Sequence, residues 1–185
     1  MNMSRPVRSW PAEPPTSGNV ELRQFQAGDA DMAMELSQDP YVPKTGTLPG
    51  HATAEQAGQW IQRQQNRLTD GAGFAFAVIA RDQERCVGFM GLWLQDLAAG
   101  RAQLGYGIAP PFRGHGLASD AVHAVTAFGW TIPDLHRIEL YIEPWNTASF
   151  KAAENAGYLR EGLLRSHQEL GGERRDMLIY ATLRP

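Results

Sequence analysis

Arg113, Gly114 and Gly116 lie in the segment Gly105–Ala118, GYGIAPPFRGHGLA, and their spacing suits the capture of an anion. Gly105 to Ala109 reads as the end of a strand. Pro110 and Pro111 cannot donate to a ladder and stop it. Phe112 to Gly116 is a glycine turn. From Leu117 the apolar residues recur at helical spacing: Leu117, Ala118, Ala121, Val122, Val125 and Phe128. A strand, a tight turn and a helix start together leave the backbone N–H groups of Gly114, His115, Gly116, Leu117, Ala118 and Ser119 without internal partners. The positive end of the helix dipole adds to them, and Arg113 adds a full charge. His115 contributes chiefly through its backbone. The ligand such a site takes is a phosphate or pyrophosphate. Two familiar phosphate loops fail to fit. No Gly-Lys-Ser/Thr triplet follows the glycines, and Ser119 stands where a dinucleotide fingerprint needs a third glycine.

A second cluster follows. His136 to Glu143 alternates Ile138, Leu140 and Ile142 against Arg137, Glu139 and Tyr141, which predicts a strand. Asn146 is a natural N-cap for a short helix over Thr147–Ala156, and Gly157 suits its C-terminal end. Read as Arg-x-x-Gly-x-Ala (Arg113, Gly116, Ala118), with Asn146-x-x-Ser149, Gly157-Tyr158 and Glu161-Gly162 after it, the chain resembles the GNAT superfamily of N-acetyltransferases. Within it, the likeness is to the Rim-type branch that acetylates ribosomal-protein N-termini.

The resemblance implies an acyl-CoA loop and acetyl-CoA as cosubstrate, with no metal. It implies an α+β fold, a GNAT-like mixed sheet with splayed central strands and flanking helices. By the same likeness the splayed strands are Phe89–Leu94 and Gln103–Ala109. A backbone N–H near Gly91–Trp93 then faces the thioester oxygen, and the Ile108 backbone pairs with the pantetheine amide. Asn146 contacts the pantetheine arm as well as capping its helix, and Ser149 assists the departing thiolate. Many relatives carry a tyrosine four residues beyond that serine; here the position is Ala153. Gln103 stands where related sequences often carry Glu, so the base is sought further on. Glu169 is the first choice, with His167 and Glu161 behind it. No activated Cys or Ser–His pair points to a covalent intermediate, so transfer is direct.

The rest of the chain must position these groups. At 185 residues, 43% hydrophobic and 20% charged, it suits one domain spanning residues 20–185. Residues 1–19 form a flexible N-terminal arm, rich in proline and without the apolar centre of a signal peptide. Trp10 in that arm can dock on the domain or on a second subunit. The formal net charge of −3 argues against nucleic acid or an anionic membrane as partner. A single cysteine, Cys86, excludes an internal disulfide, favours a cytoplasmic setting, and reads as a buried small hydrophobe. His51, His123 and His136 have no metal-ligand spacing. Strands are predicted over Val20–Phe25, Phe74–Ala80, Cys86–Leu94 and Ala102–Ala109, and as a hairpin over Tyr158–Gln168 and Met177–Leu183. Helices are predicted from Asp29 to about Ser37 and, behind the capping pair Thr53 and Gln56, over Thr53–Leu68, with a loop over Asp39–Ala52. The arm and the apolar Met177–Leu183 strand suggest a homodimer. The acceptor is an amine: a protein N-terminal α-amine first, a polyamine or amine antibiotic second. A non-catalytic acyl-CoA-binding module is the third alternative.

Overall fold

Gly73–Ala80, GFAFAVIA, is buried along its whole length, so this strand must be covered on both faces. The computed structural model, which describes residues 9–185, shows how. Phe74, Phe76, Val78 and Ala80 face one apolar cluster, and Ala75, Ala77 and Ile79 face another, as strand alternation requires. The first cluster is closed by two helices, α4 (Leu117–Gly129) and α5 (Thr147–Asn155). The second is closed by α1 (Ala30–Leu36) and α3 (Ala54–Asn66).

Between these layers runs an eight-stranded sheet with order β1-β2-β3-β4-β5-β6-β8-β7. Its strands are β1 (Thr16–Ser17), β2 (Val20–Gln24), β3 (Gly73–Ala80), β4 (Arg85–Trp93), β5 (Arg101–Ile108), β6 (Arg137–Ile142), β7 (Leu159–Leu170) and β8 (Glu173–Leu183). Every neighbouring pair is antiparallel except β5–β6. This is the mixed sheet with flanking helices expected of an α+β chain.

The sheet parts at one place, and it is not the place expected. β4 and β5 stay in register from Gly88↔Ile108 to Trp93↔Gln103. The parallel partners β5 and β6 pair only from Arg101↔Arg137 to Leu104↔Leu140 and then separate. Parallel neighbours need a crossover, and here it is the loop and α4, which carry the chain over one face. β6 meanwhile keeps its antiparallel partner β8 as far as Ile142↔Leu178. The splay therefore lies between β5 and β6. Gly91–Trp93, expected to face a ligand, is paired with β3 on one side and β5 on the other.

Local signals fare well where the chemistry is local. Thr53 and Gln56 form the reciprocal capping box of α3. Asp29 precedes α1 but does not cap it; its carboxylate is spent on Arg23, in two 2.8 Å bonds, and on the N–H of Gln26. The expected loop 39–52 contains one helical turn, α2 (Val42–Thr45). Pro43 sits in its first turn, where a missing N–H costs nothing.

Residues 1–8 of the expected arm lie outside the described residues. Further on, Trp10 sets its indole edge-on against Phe74 (5.4 Å) and Phe76 (5.1 Å), beside Phe128. Met177, Leu178, Tyr180 and Ala181 are likewise buried in their own subunit. Trp10 and these four residues of the Met177–Leu183 strand are thus used inside the chain, while Leu183 is exposed. Trp10→Ala should lower unfolding free energy by about 2–3 kcal/mol in urea denaturation, since a large aromatic packed on two others is lost. A change below about 0.5 kcal/mol would mean that the indole does not hold this position.

Candidate active site

The separation of β5 from β6 leaves identifiable backbone groups unpaired. Ala109 N–H bonds Val87 O at 2.8 Å, which marks 87↔109 as a hydrogen-bonded antiparallel pair. Alternation then turns the N–H groups of Gly107 and Gly105 toward β4 and those of Ile108 and Tyr106 toward β6. Beyond Leu104 no β6 residue meets them. Ile108 O has another partner, accepting from Arg113 Nε at 2.8 Å. Its N–H faces the splay.

This opening is the floor of a cavity of about 1260 Å³. Its walls come from β5, the C-terminal end of β6, the loop before α4, the start of α5, the segment 36–48, and α3. Ile108, Arg113, Gly114, Gly116, Leu117, Ala118, Ser119, Asn146 and Ser149 all line it. Gly114 and Gly116 have φ of +82° and +78°, a region that a side chain disfavours, and a Cβ at either would meet nothing within 4 Å. Glycine there serves the turn and close approach of a ligand, not internal packing. The first i→i−4 bond of α4 is Asp120 N–H to Gly116 O (3.1 Å), so the N–H groups of Leu117, Ala118 and Ser119 point out of the helix end. His115 is exposed beside them, its Nδ1 3.4 Å from Phe112 O.

Arg113 is a charge held in place. Its guanidinium is tied to Ile108 O and, at 2.6 Å, to Asp39. Burial pushes the Asp39 carboxyl up, but the N–H of Val42, the Arg113 guanidinium and the N–H of Tyr41 outweigh it and hold it below the usual carboxylate range. Arg113 thus fastens the loop to the strand end and to the segment before α2.

At the other side of the splay, Asn146 Oδ1 accepts the N–H of Ser149 at 3.2 Å, so Asn146 is the expected N-cap of α5. Ser149 has a partner that sequence reasoning missed. The Tyr106 hydroxyl lies 2.8 Å from Ser149 Oγ and donates to Ser149 O at 3.0 Å. Burial pushes the Tyr106 phenol up to about 12, so it keeps its proton at any working pH. The available signal was spacing. Leu104, Tyr106 and Ile108 share one face of β5, the face beneath α5, while Gly105 and Gly107 share the other.

The expected base is not brought to the site. Glu169 pairs across the hairpin with Arg174, and strand alternation gives the cavity Gln168 and Leu170 instead. Glu161 is bonded twice to Arg137, and His167 stacks on Tyr141 at 4.9 Å. Neither lines the cavity, whereas Gln103 does. Among the described residues Asp39 is the only carboxylate lining it, and no histidine does. No cluster of three or more His, Cys, Asp or Glu suited to a metal occurs among the described residues. Cys86 is buried, as expected, and burial pushes its thiol up to about 12.

The strand splayed from its parallel neighbour, with a glycine loop and helix N-terminus at its end, lies within the part of the chain that one family model matches. The model for the acetyltransferase (GNAT) domain matches residues 19–159. The chain belongs to the GNAT family. Relatives agree. It is 31% identical over 165 residues to the N-acetyltransferase p20 of Bacillus licheniformis, covering 89% of this chain and 93% of that one. Mycobacterium smegmatis RimJ, solved in complex with CoA-disulfide, is 27% identical with a TM-score of 0.76, covering 92% of this chain and 84% of that one. A GNAT-family acetyltransferase from Bacillus anthracis is 25% identical with a TM-score of 0.73, covering 90% and 96%. The GNAT chain described here is an acetyl-CoA-dependent N-acetyltransferase with relatives in the Rim-type branch.

Two outcomes follow for the loop. Gly116→Pro removes an N–H and forbids positive φ at an exposed position, so the protein should fold while CoA affinity falls at least about 10-fold in calorimetry. Unchanged affinity in the folded variant would move the pyrophosphate elsewhere. Asp39→Asn keeps the oxygen that caps Tyr41 and Val42 but removes the charge. Since the carboxyl is depressed in the folded state, its stabilisation is full above the usual carboxylate range and disappears as pH falls through the lowered value. Wild type should therefore exceed the variant by up to about 1 kcal/mol at pH 7, with the gap closing in acid. A gap that persists at low pH would show that the charge is not what matters.

Proposed function

We propose that this enzyme transfers acetyl from acetyl-CoA directly to an α-amine, most simply the N-terminus of a protein or peptide. The observation that carries this reading is the absence of a free base among the described residues lining the cavity. Asp39 is bonded to Arg113, and the remaining polar lining is glutamine, asparagine, hydroxyl and cation. An amine must then arrive neutral. At pH 7 roughly 10–15% of α-amino groups are neutral, against less than about 0.1% of lysine side chains. A polyamine, moreover, would need acidic walls, and this cavity has none to spare.

In this reading the N–H groups of residues 114–119 hold the pyrophosphate, and Arg113 keeps their loop in place. The unpaired backbone of Tyr106 and Ile108 receives the pantetheine arm in the splay, with Asn146 beside it. The amine nitrogen attacks the thioester carbonyl carbon. The C–N bond forms, the C–S bond breaks, and the amine proton leaves through the open cleft to water. The sulfur departs with the electron pair and accepts a hydrogen bond from the Ser149 hydroxyl. Tyr106 is a positioning residue. When its proton is given to Ser149 Oγ rather than to Ser149 O, the serine proton is free for the sulfur, and the two hydroxyls reinforce each other.

Ser149→Ala should lower kcat roughly 10- to 150-fold with acetyl-CoA affinity nearly unchanged, because a hydrogen bond to a developing anion is made in the transition state. Tyr106→Phe should give a smaller loss that nearly vanishes in the Ser149→Ala background. On an α-amine peptide the rate should rise with pH and level off near the amine's own value, about 8. Preferred turnover of lysine side chains or polyamines at pH 7 would refute the acceptor assignment. Tight acetyl-CoA binding without turnover of any amine would refute transfer itself.

A further inference from the structure

Arg67 closes the end of α3 and lines the same cavity, far from the phosphate loop. Its backbone is fixed, since its carbonyl accepts the N–H of Ala72 at 2.9 Å and of Gly73 at 3.3 Å. Its guanidinium lies over the Trp93 ring, 5.6 Å from the centroid. The indole is itself held in place. A Cβ on Gly91 would come within 2.2 Å of it, and one on Gly105 within 3.3 Å. Those two glycines give Trp93 the room to lie back along the sheet and present its face to the guanidinium.

What the guanidinium lacks is an acceptor. Arg67 Nε is buried and has no hydrogen-bond partner among the described residues. A polar group left that way inside a protein costs free energy that a ligand can recover. The other ionic groups of the cavity do not supply the acceptor. Asp39 is taken by Arg113, and the remaining charge on the lining, Lys151, is another cation. Nor is Arg67 an extension of the phosphate loop. Trp93 pairs with Gln103, five residues along β5 from Ile108, which is about 17 Å of strand. The loop lies beyond one end of that span and Arg67 at the other, with the vertex of the splay at Leu104 close to Arg67's end.

We propose that Arg67, stacked on Trp93 beside Gln103, is a specificity subsite for an oxyanion carried by the acceptor, a carboxylate or phosphate a few bonds from the amine that is acetylated. The guanidinium fork suits either group, and the aromatic floor sets its orientation. The subsite rests on the α-amine reading for its substrate, and it narrows that class to acidic acceptors. It also explains the character of the cavity. Among the described residues the wall has two cations without a carboxylate partner, Arg67 and Lys151, with neutral amides and no free carboxylate, which repels polycations and attracts anions.

The test uses short peptides with a free N-terminus and glutamate, phosphoserine, glutamine or lysine at the second position. Each is assayed for acetyl transfer by the full-length enzyme, and its affinity for the CoA-loaded enzyme is measured by calorimetry. The subsite predicts that the glutamate or phosphoserine peptide exceeds the glutamine peptide in kcat/KM and in affinity by about 10- to 100-fold, with lysine lowest. Arg67→Gln should remove that preference while leaving the glutamine peptide and CoA affinity unchanged. Arg67→Lys, which keeps charge without the fork, should restore part of it. Preference for phosphoserine alone assigns a phosphate; equal preference assigns a carboxylate-sized anion in general. No preference for either the glutamate or the phosphoserine peptide over the glutamine peptide, absence of binding included, overturns the subsite. An Arg67→Gln variant that loses all peptides equally overturns it too, and makes Arg67 a staple for Trp93. Transfer to none of the peptides, with the charge preference still seen in binding, would count against the α-amine reading and leave the subsite standing.

Discussion

The parting of β5 from β6 after Leu104↔Leu140 is the constraint on which the site depends. A parallel pair that ran on would satisfy its own backbone and leave nothing to bind. By separating, the two strands leave the backbone of Tyr106 and Ile108 in need of partners, inside a sheet that both helical layers otherwise bury. The cost of those unmade bonds is supported by strong pairing on either side, β4 along β5 from Gln103 to Ile108 and β8 along the whole of β6. A ligand with amide groups of its own can repay it.

The two ends of the opening are then chemically distinct. At one, positive φ at Gly114 and Gly116 turns a set of backbone donors toward an anion, and the pair Arg113–Asp39 locks that turn to the strand and to the segment before α2. Between them, Tyr106 reaches from the sheet to Ser149 on α5 and holds the hydroxyl proposed to meet the departing sulfur. At the far end the lining is aromatic and amide, with Arg67 over Trp93. In the proposed reading, phosphate binding, thiolate assistance and acceptor selection come from residues gathered along this one opening.

Much of this was legible in the sequence because it is local. The prolines after Ala109, the glycines of the turn, the N-cap Asn146 and the capping box of α3 each act on their own neighbours. So did the alternation that defines the strands. What escaped was long-range. Which of two adjacent strand pairs opens depends on register across the sheet, so Phe89–Leu94 was expected at a splay from which it is absent. Glu169 was misplaced by alternation along a hairpin whose face the sequence does not declare. Tyr106 and Arg67 find Ser149 and Trp93 across 43 and 26 positions of chain, and neither carries a motif.

Amide hydrogen exchange at β5, with and without acetyl-CoA, tests the central claim most directly. The N–H groups of Tyr106 and Ile108 face the splay, whereas those of Gly105 and Gly107 already bond β4. Saturating acetyl-CoA should therefore slow exchange at Tyr106 and Ile108 strongly, with Gly105 and Gly107 little changed. Exchange at Tyr106 and Ile108 that is already slow in the free protein, or that acetyl-CoA leaves untouched, would contradict the account.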